Sequence, residues 1–320
     1  MKVQTARPQE AYFGSVRFFK HLFLLILVLF ILIPTALALQ FGFLLARMRT
    51  SYIQGFSIAK RSFYIAAKLN ASNADDAEKE TLDFLLLGEA AHPYEEKYPD
   101  MYVERADDFE EESQTVYLTF DDGPSARTME VLDILAKKEI KATFFVVYNP
   151  EPIGDEALCR IVQEGHTVGI HSYSHSYRDI YRSVEAFLDD FYKEWTHVYQ
   201  TTGVKPTVFR FPGGSINAYN SVLYHEIISE MLRRGFVYYD WNVSSGDAAQ
   251  TPVKKEEILA AVISQSQGKS RPFILMHDSV TKMQTVGALE EMIDTLSEMG
   301  FHFSRITEKT KPVIMSYRDF

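Results

Sequence analysis

Seven short apolar runs alternate with segments of helical periodicity, and this alternation constrains the fold more than any other feature of the chain. The runs cover 116–120, 142–147, 166–171, 207–211, 236–243, 272–277 and 301–306. Helical segments fit 126–138, 156–165, 184–198, 218–234, 255–267 and 284–299. Strands that alternate with helices form a parallel sheet covered by helices. The fold class is therefore α/β, and about seven repeats favour an incomplete (β/α) barrel, with a doubly wound open sheet as the alternative.

A second feature is the apolar segment 21–46, which contains no Asp, Glu, Lys or Arg. It is long enough to cross a bilayer core of about 30 Å. The flanking charges predict residues 1–20 in the cytoplasm, an uncleaved transmembrane signal anchor, and a catalytic domain outside the cell membrane. Ala36-Leu37-Ala38 resembles a signal-peptidase site, so a secreted form cleaved after Ala38 stays an alternative.

Residues 47–114 differ in character from the rest of the chain and predict a partly helical stalk or linker without assignable chemistry. The catalytic domain is then 115–320. A net charge of −10 argues against a nucleic-acid partner. The single cysteine excludes an intrachain disulfide and a thiolate metal cluster. No protein partner can be inferred from the sequence.

Polar residues follow five of the predicted strands at their carboxyl ends: Asp121 and Asp122, His171 and His175, Arg210, Asp240 with Trp241, and His277. In barrel enzymes the catalytic residues come from the carboxyl ends of several strands. Packing alone does not account for five such clusters at the same end. We therefore expect one active site there.

The histidines and the aspartate pair together suggest a metal centre. His171 and His175 are four residues apart, and two histidines with one carboxylate suit Zn²⁺ while leaving positions open. Gly123-Pro124 bends the chain directly after Asp121 and Asp122, so both carboxylates can face one site. One of them can then bind metal while the other transfers a proton. The alternatives are an ordinary turn and two loop histidines without metal.

Five motifs occur in a fixed order: TFDDGPS, HSYSH, RFPGG, the Asp-Trp pair and LMH. In this order they resemble the polysaccharide deacetylases, carbohydrate esterase family 4, over about residues 115–306. The resemblance implies a distorted, incomplete (β/α) barrel. It also implies removal of acetyl groups from N-acetylglucosamine polymers or from O-acetylated sugars.

The resemblance also implies roles for individual residues. Asp122, His171 and His175 would bind a divalent metal, with Zn²⁺ the best fit and Co²⁺ or another ion open. The remaining roles fall to Asp121 as general base, Arg210 as the residue that orients it, Gly213 as a backbone N–H donor to the oxyanion, His277 as general acid, and Asp240 as the residue that holds the tautomer of His277. Trp241, Leu275 and Pro212 would line the acetyl pocket, with core packing as the alternative for Trp241 and Leu275.

Two departures bear on the substrate. Gly213 stands where the family often has an aromatic residue, so a sugar-stacking surface is missing, and Ile170 stands where it often has Asn. The leading hypothesis is a membrane-anchored, metal-dependent deacetylase of N-acetylglucosamine in a cell-wall polysaccharide, either peptidoglycan or a chitin-like polymer. The alternatives are an O-acetyl esterase on xylan or another acetylated glycan, and an inactive membrane-anchored glycan-binding protein.

Overall fold

The computed structural model of this 320-residue chain describes residues 20–24, 92–104, 106, 108–249 and 253–315. The chain separates into two units, Met1–Phe56 and Ser57–Phe320. In the first unit, residues 20–24 are helical. None of the helices in the described ranges is long and apolar enough to cross a membrane. The predicted anchor lies outside these ranges from residue 25 onward, as does the predicted stalk up to residue 91.

Eight strands and seven α-helices alternate in the described part of the second unit. The strands are β1 (Thr115–Asp121), β2 (Thr143–Val147), β3 (Thr167–Ser172), β4 (Val208–Phe209), β5 (Val237–Tyr238), β6 (Val243–Ser244), β7 (Phe273–His277) and β8 (His302–Ser304). The helices are α1 (Ala126–Lys137), α2 (Pro152–Gln163), α3 (Tyr177–Ile180), α4 (Val184–Thr202), α5 (Tyr224–Arg233), α6 (Lys255–Ser266) and α7 (Met283–Glu298). A 3-10 turn, Pro93–Glu96, precedes them.

The strands form one sheet in the order β5-β4-β3-β2-β1-β7-β6, and every pair is parallel. Strand β8 pairs with the first half of β1, from Thr115 to Tyr117. The predicted strand 236–243 is divided, because β5 and β6 lie at opposite edges of the sheet. The chain between them, residues 239–242, crosses from one edge to the other.

The sheet curls into a barrel around a small apolar interior. Its residues come from strands across the whole sheet and from the segment after β8: Tyr117, Phe145, Val208, Val237, Tyr239, Phe273 and Ile306. The rings of Tyr239 and Phe273, beside opposite edges, have centroids only 6.2 Å apart. Outward-facing residues of β1, such as Leu118 and Phe120, belong instead to the core beneath the helices. The predicted incomplete barrel is therefore confirmed, and an open doubly wound sheet is not observed.

Helix α4 shows how local sequence sets these elements. Ser183 caps its start, since the Ser183 hydroxyl accepts a hydrogen bond from the Ala186 amide at 3.1 Å. Gly203 ends it in a left-handed conformation with φ of 75°. The predicted apolar face packs against the sheet and includes the buried residues Phe191 and Trp195. The helix thereby covers β3, the strand that carries His171.

The last part of the predicted linker packs against the catalytic domain. Arg234 is fully buried, and its guanidinium donates hydrogen bonds of 2.8–3.1 Å to the carbonyls of Tyr94, Lys97 and Tyr98. The amide of Val103 in turn donates to the Arg234 carbonyl at 3.0 Å. Residues 92–104 thus form part of the same packed body as the barrel.

Candidate active site

Asp121 and Asp122 reach the same site by different means. Asp121 is the last residue of β1 and, by strand alternation, lies on the interior face with Tyr117 and Thr119. Alternation would send Asp122 to the opposite face. Asp122 instead adopts a left-handed conformation with φ of 70°, just before a cis Gly123-Pro124 bond. This turn brings its carboxylate back toward the histidines, as the sequence predicted.

Asp122, His171 and His175 come together at the carboxyl ends of β1 and β3. Oδ1 of Asp122 lies 3.2 Å from Nε2 of His175 and 3.6 Å from Nε2 of His171. One ligand atom from each of the three lies within 4.8 Å of the others. These are the three residues that the resemblance assigned to the metal.

The protonation of His171 suits a metal ligand. Its Nδ1 lies 2.8 Å from the Arg210 carbonyl oxygen, which can only accept, so Nδ1 carries the proton. Nε2 then presents a lone pair toward Asp122. Burial lowers the pKa of His171 to about 3, although Asp122 acts in the opposite direction. The ring is therefore neutral near pH 7.

The site fits a divalent cation. Ligand atoms bound tetrahedrally at about 2.1 Å lie about 3.4 Å apart, which matches the separations around Asp122. Oδ1 of Asp122 is buried and has no hydrogen-bond partner among the described residues. A buried carboxylate oxygen without a donor is costly unless a cation satisfies it. Two imidazoles and one carboxylate are a donor set that Zn²⁺ and similar ions accept.

Asp190 on α4 holds the loop that presents both histidines. Its carboxylate accepts hydrogen bonds from the Ser172 hydroxyl at 2.5 Å and from the amides of Tyr173 and Ser174 at 2.8 and 2.9 Å. The Ser172 hydroxyl oxygen accepts from the amide of His175 at 2.8 Å. Sequence reasoning missed Asp190, because nothing in the helical spacing of α4 separates it from an ordinary polar position.

Arg210 fixes the carboxylate of Asp121. Its Nη1 donates to Oδ1 of Asp121 at 2.9 Å, and both side chains are buried. The rest of its guanidinium donates to the carbonyls of Tyr239 and Asp240, each at 2.9 Å. Burial raises the pKa of Asp121 above its ordinary value, and Arg210 and His277 only partly oppose this. A cation at Asp122 would lower that pKa.

His277 lies beside Asp121 and is paired with Asp247. Asp121 and His277 are register partners on β1 and β7, so their side chains project from one face. Nδ1 of His277 lies 2.7 Å from Oδ1 of Asp247, whose Oδ2 accepts from the His277 amide at 2.9 Å. Burial lowers the pKa of His277, but Asp247 and then Asp121 outweigh it and raise it to about 9. The imidazole can therefore serve as an acid.

The prediction that Asp240 holds the tautomer of His277 is wrong. Asp240 is fully buried and accepts hydrogen bonds from the amide and hydroxyl of Ser215 and from the Met315 amide. It therefore ties the loop after β4 to the C-terminal segment. The physical reason is that the predicted strand 236–243 is divided into β5 and β6. Asp240 lies before β6, and the residue beside His277 is Asp247, in the loop after β6.

Comparison with known proteins identifies the family. The family model of polysaccharide deacetylases matches residues 109–227. The crystal structure of a peptidoglycan N-acetylglucosamine deacetylase catalytic domain from Eubacterium rectale is 35% identical, with a TM-score of 0.62, and the match covers 68% of this chain and 98% of that one. The chain belongs to the polysaccharide deacetylase family, carbohydrate esterase family 4.

Two further relatives are similar to this polysaccharide deacetylase over 206 and 202 residues. YheN of Bacillus subtilis (strain 168), which is named for the family, is 34% identical over 206 residues, covering 62% of this chain and 70% of YheN. A peptidoglycan-N-acetylglucosamine deacetylase of Bacillus cereus is 29% identical over 202 residues, covering 62% of this chain and 71% of that protein.

Gly213 and Pro212 lie in the loop after β4 of this polysaccharide deacetylase. Gly213 is left-handed, with φ of 77°, and within the described ranges its amide donates to no hydrogen-bond acceptor. The carbonyl of Pro212 accepts from the Tyr181 hydroxyl at 2.8 Å and from the Asn217 amide group at 3.1 Å. The loop is thus tied down while the Gly213 amide is left for another acceptor.

Leu275 and Trp241 occupy different surroundings. Leu275 pairs in register with Thr119 on β1 and points to the interior face below His277. It is 7% exposed, so it is nearly buried at the floor of the site. The indole of Trp241 has its ring centroid 5.7 Å from the Arg210 guanidinium carbon. Trp241 therefore lies against the residue that holds Asp121.

Proposed function

We propose that this polysaccharide deacetylase hydrolyses the acetamido group of N-acetylglucosamine units in a cell-wall polysaccharide, peptidoglycan or a chitin-like polymer. The observation that supports this proposal most directly is that Asp122, His171 and His175 lie together beside Asp121. His277 projects from the neighbouring strand. Relatives named as peptidoglycan N-acetylglucosamine deacetylases support this substrate class.

Three residues would hold the cofactor, and Zn²⁺ fits their donor set best. Asp122 supplies one carboxylate oxygen, and His171 and His175 each supply Nε2. A divalent cation bound there supplies Lewis-acid polarisation of the acetyl carbonyl and activation of water. Co²⁺ or another divalent ion would satisfy the same donors.

Asp121 and His277 divide the proton transfers. Asp121 takes a proton from the attacking water as general base, and Arg210 holds its carboxylate in one orientation. His277 donates a proton to the departing amine nitrogen, and Asp247 keeps the proton of its Nδ1 in place. The amide of Gly213 donates to the acetyl oxygen as negative charge develops there. Leu275 would bound the pocket that receives the methyl group.

We also propose that the chain is held at the cell membrane, with its catalytic domain on the outer side. The support is the uncharged apolar segment 21–46 and the basic residues that precede it. Fractionation of cells that express the full chain should place it with membranes. Protease added to intact wall-stripped cells should digest residues 92–315. Recovery of the full chain in the cytosol would contradict this placement.

Acetate release tests the activity. The full chain in detergent, supplied with Zn²⁺, should release acetate from N-acetylated chitooligosaccharides or peptidoglycan, and a chelator should abolish the release. Asp121→Asn should retain the metal and lose activity by at least about 10²-fold. Release from O-acetylated xylan alone would instead indicate an O-acetyl esterase. Metal binding without release from any glycan would indicate a glycan-binding protein.

A further inference from the structure

A chain of aromatic rings leads from the metal ligands to the protein surface. The ring of His175 contacts that of Tyr177, with centroids 5.3 Å apart at 75°. Tyr177 in turn contacts Tyr219, with centroids 5.3 Å apart at 45°. Tyr219 lies in the loop between β4 and α5 and is 60% exposed. A large exposed ring beside an active site leaves one face free for a ligand.

Tyr177 fills the space that a side chain at position 213 would occupy. A Cβ placed on Gly213 would lie 2.7 Å from Cε1 of Tyr177 and 3.3 Å from its hydroxyl oxygen. Only glycine fits at this left-handed position while Tyr177 keeps its place. The aromatic surface that the sequence around Gly213 lacks is therefore supplied from α3 and from the loop that carries Tyr219.

The loop that carries Tyr219 is braced against the loop of Gly213. The Asn217 side chain donates to the carbonyls of Pro212 and Gly214 at 3.1 Å and accepts from the Tyr219 amide at 2.9 Å. The amide of Asn217 donates to the side chain of Asn220 at 2.8 Å. The backbone that carries the exposed ring is thus held in position before a ligand arrives, which lowers the entropic cost of binding.

We propose that Tyr219 and Tyr177 form a saccharide subsite that binds a pyranose ring of the glycan substrate. The face of Tyr219 stacks on the apolar C–H face of the sugar. The hydroxyl of Tyr177, which lies beside Gly213, donates to a sugar oxygen. An acetamido group bound at Asp122 and His175 would bring the attached sugar close to Tyr177, because the rings of His175 and Tyr177 have centroids 5.3 Å apart. This subsite rests on the proposed function, because it assumes a glycan at that metal site.

Steady-state kinetics with two substrates test the subsite. Tyr219→Ala should raise KM for an N-acetylated chitopentaose about tenfold with little change in kcat. Turnover of a small aryl acetate, which has no sugar to stack, should not change. Tyr219→Trp should restore KM, and Tyr177→Phe should raise it several-fold. Tyr199→Ala is the matched control, since Tyr199 is an exposed tyrosine, 41% exposed, on α4.

Calorimetry separates this inference from the proposed function. Chitopentaose is titrated into Zn²⁺-loaded Asp121→Asn and into Asp121→Asn/Tyr219→Ala, so binding is measured without turnover. Weaker binding to the second protein supports the subsite even if the wild-type chain releases no acetate. Equal KM and equal binding with and without Tyr219 would overturn the subsite while leaving the deacetylase activity intact. No binding and no release would overturn both.

Discussion

Asp247 and His277 form a carboxylate–imidazole pair across the loop after β6 and the end of β7, with 2.7 Å between Oδ1 and Nδ1. Thr285 on α7 donates a further hydrogen bond to Asp247 at 2.8 Å. Burial works against ionisation of the Asp247 carboxyl, but its hydrogen bond with His277 outweighs this and lowers its pKa. The pair is therefore a buried carboxylate beside a protonated imidazole.

The pH profile of the enzyme should depend on Asp247. The imidazole must be protonated to act as acid, so kcat/KM should fall as pH rises through the pKa of His277, about 9 and lower with a cation bound. Asp247→Asn removes the charge that raises this pKa. The alkaline limb should then move at least about one pH unit lower, and kcat should fall roughly 10²-fold.

Asp240→Asn is the matched control, because Asp240 is also buried but bonds to Ser215 and Met315. It should leave the alkaline limb in place. The assignment of Asp247 fails if Asp240→Asn moves the limb and Asp247→Asn does not.

Asp190→Ala should weaken metal binding without touching a ligand. The variant removes the acceptor for the Tyr173 and Ser174 amides and frees the Ser172 hydroxyl that positions His175. Loss of such outer partners lowers metal affinity about 10- to 100-fold. Competition of the protein with a fluorescent chelator for Zn²⁺ measures this directly.

Asp189→Ala, at the neighbouring position of α4, is the control for Asp190. Asp189 is bonded to Lys97 and Tyr98 rather than to the histidine loop. Its replacement should leave Zn²⁺ affinity unchanged. Equal affinity of the wild type and Asp190→Ala would show that the loop holds its form without the carboxylate.

Glu194 should make the protein less stable as pH rises. Its carboxyl is fully buried, and burial raises its pKa to about 7, against the opposing effect of His197. The folded state therefore holds a proton that the unfolded chain releases near 4.5. The free energy of unfolding falls from about pH 4.5 to about pH 7 for this reason.

Glu194→Gln removes that ionisation and should stabilise the protein at pH 8 by roughly 2 kcal/mol. Urea unfolding of the wild type and the variant at pH 5 and pH 8 measures the difference. Glu298→Gln, at the exposed end of α7, should show no pH-dependent gain. An equal effect of Glu194→Gln at both pH values would contradict the raised pKa.

Arg234→Met should destabilise the domain by about 3–5 kcal/mol, because it removes the buried donor of three backbone carbonyls and one of the two arginines that pair with Glu230. Residues 92–104 should then become accessible to protease, which limited proteolysis and mass spectrometry detect. Arg182→Met, at an exposed position, should change neither quantity. Unchanged protection of 92–104 in Arg234→Met would refute the docking role of Arg234.

Much of the fold and the metal set follows from local pattern. Alternation of side chains along β1 places Asp121 on the interior face of the sheet. The turn at Asp122 allows the Asp122 carboxylate to point back toward the same site. Helical spacing predicts the buried face of α4. These features depend on residues close together in sequence, so they can be predicted without the tertiary structure.

Other parts of the site depend on contacts that sequence spacing does not encode. Asp190 reaches the histidine loop across the packing of α4 on β3, and Tyr177 reaches Gly213 from a separate segment. The apolar run 236–243 gave no sign that it would divide between two sheet edges. That division separates Asp240 from Asp247, so the partner of His277 could not be chosen from sequence alone.

The gap in the barrel has a chemical use. Tyr239 and Asp240 lie in the crossing between β5 and β6, where no strand of the described chain donates a hydrogen bond to their carbonyls. Arg210 donates hydrogen bonds to both carbonyls. It thereby supplies the donor that every buried backbone oxygen needs. In a fully closed barrel both oxygens would accept hydrogen bonds from a neighbouring strand. The Arg210 guanidinium would then lose these two acceptors. The interruption in strand pairing thus leaves two carbonyls free to position Arg210, the residue that orients Asp121.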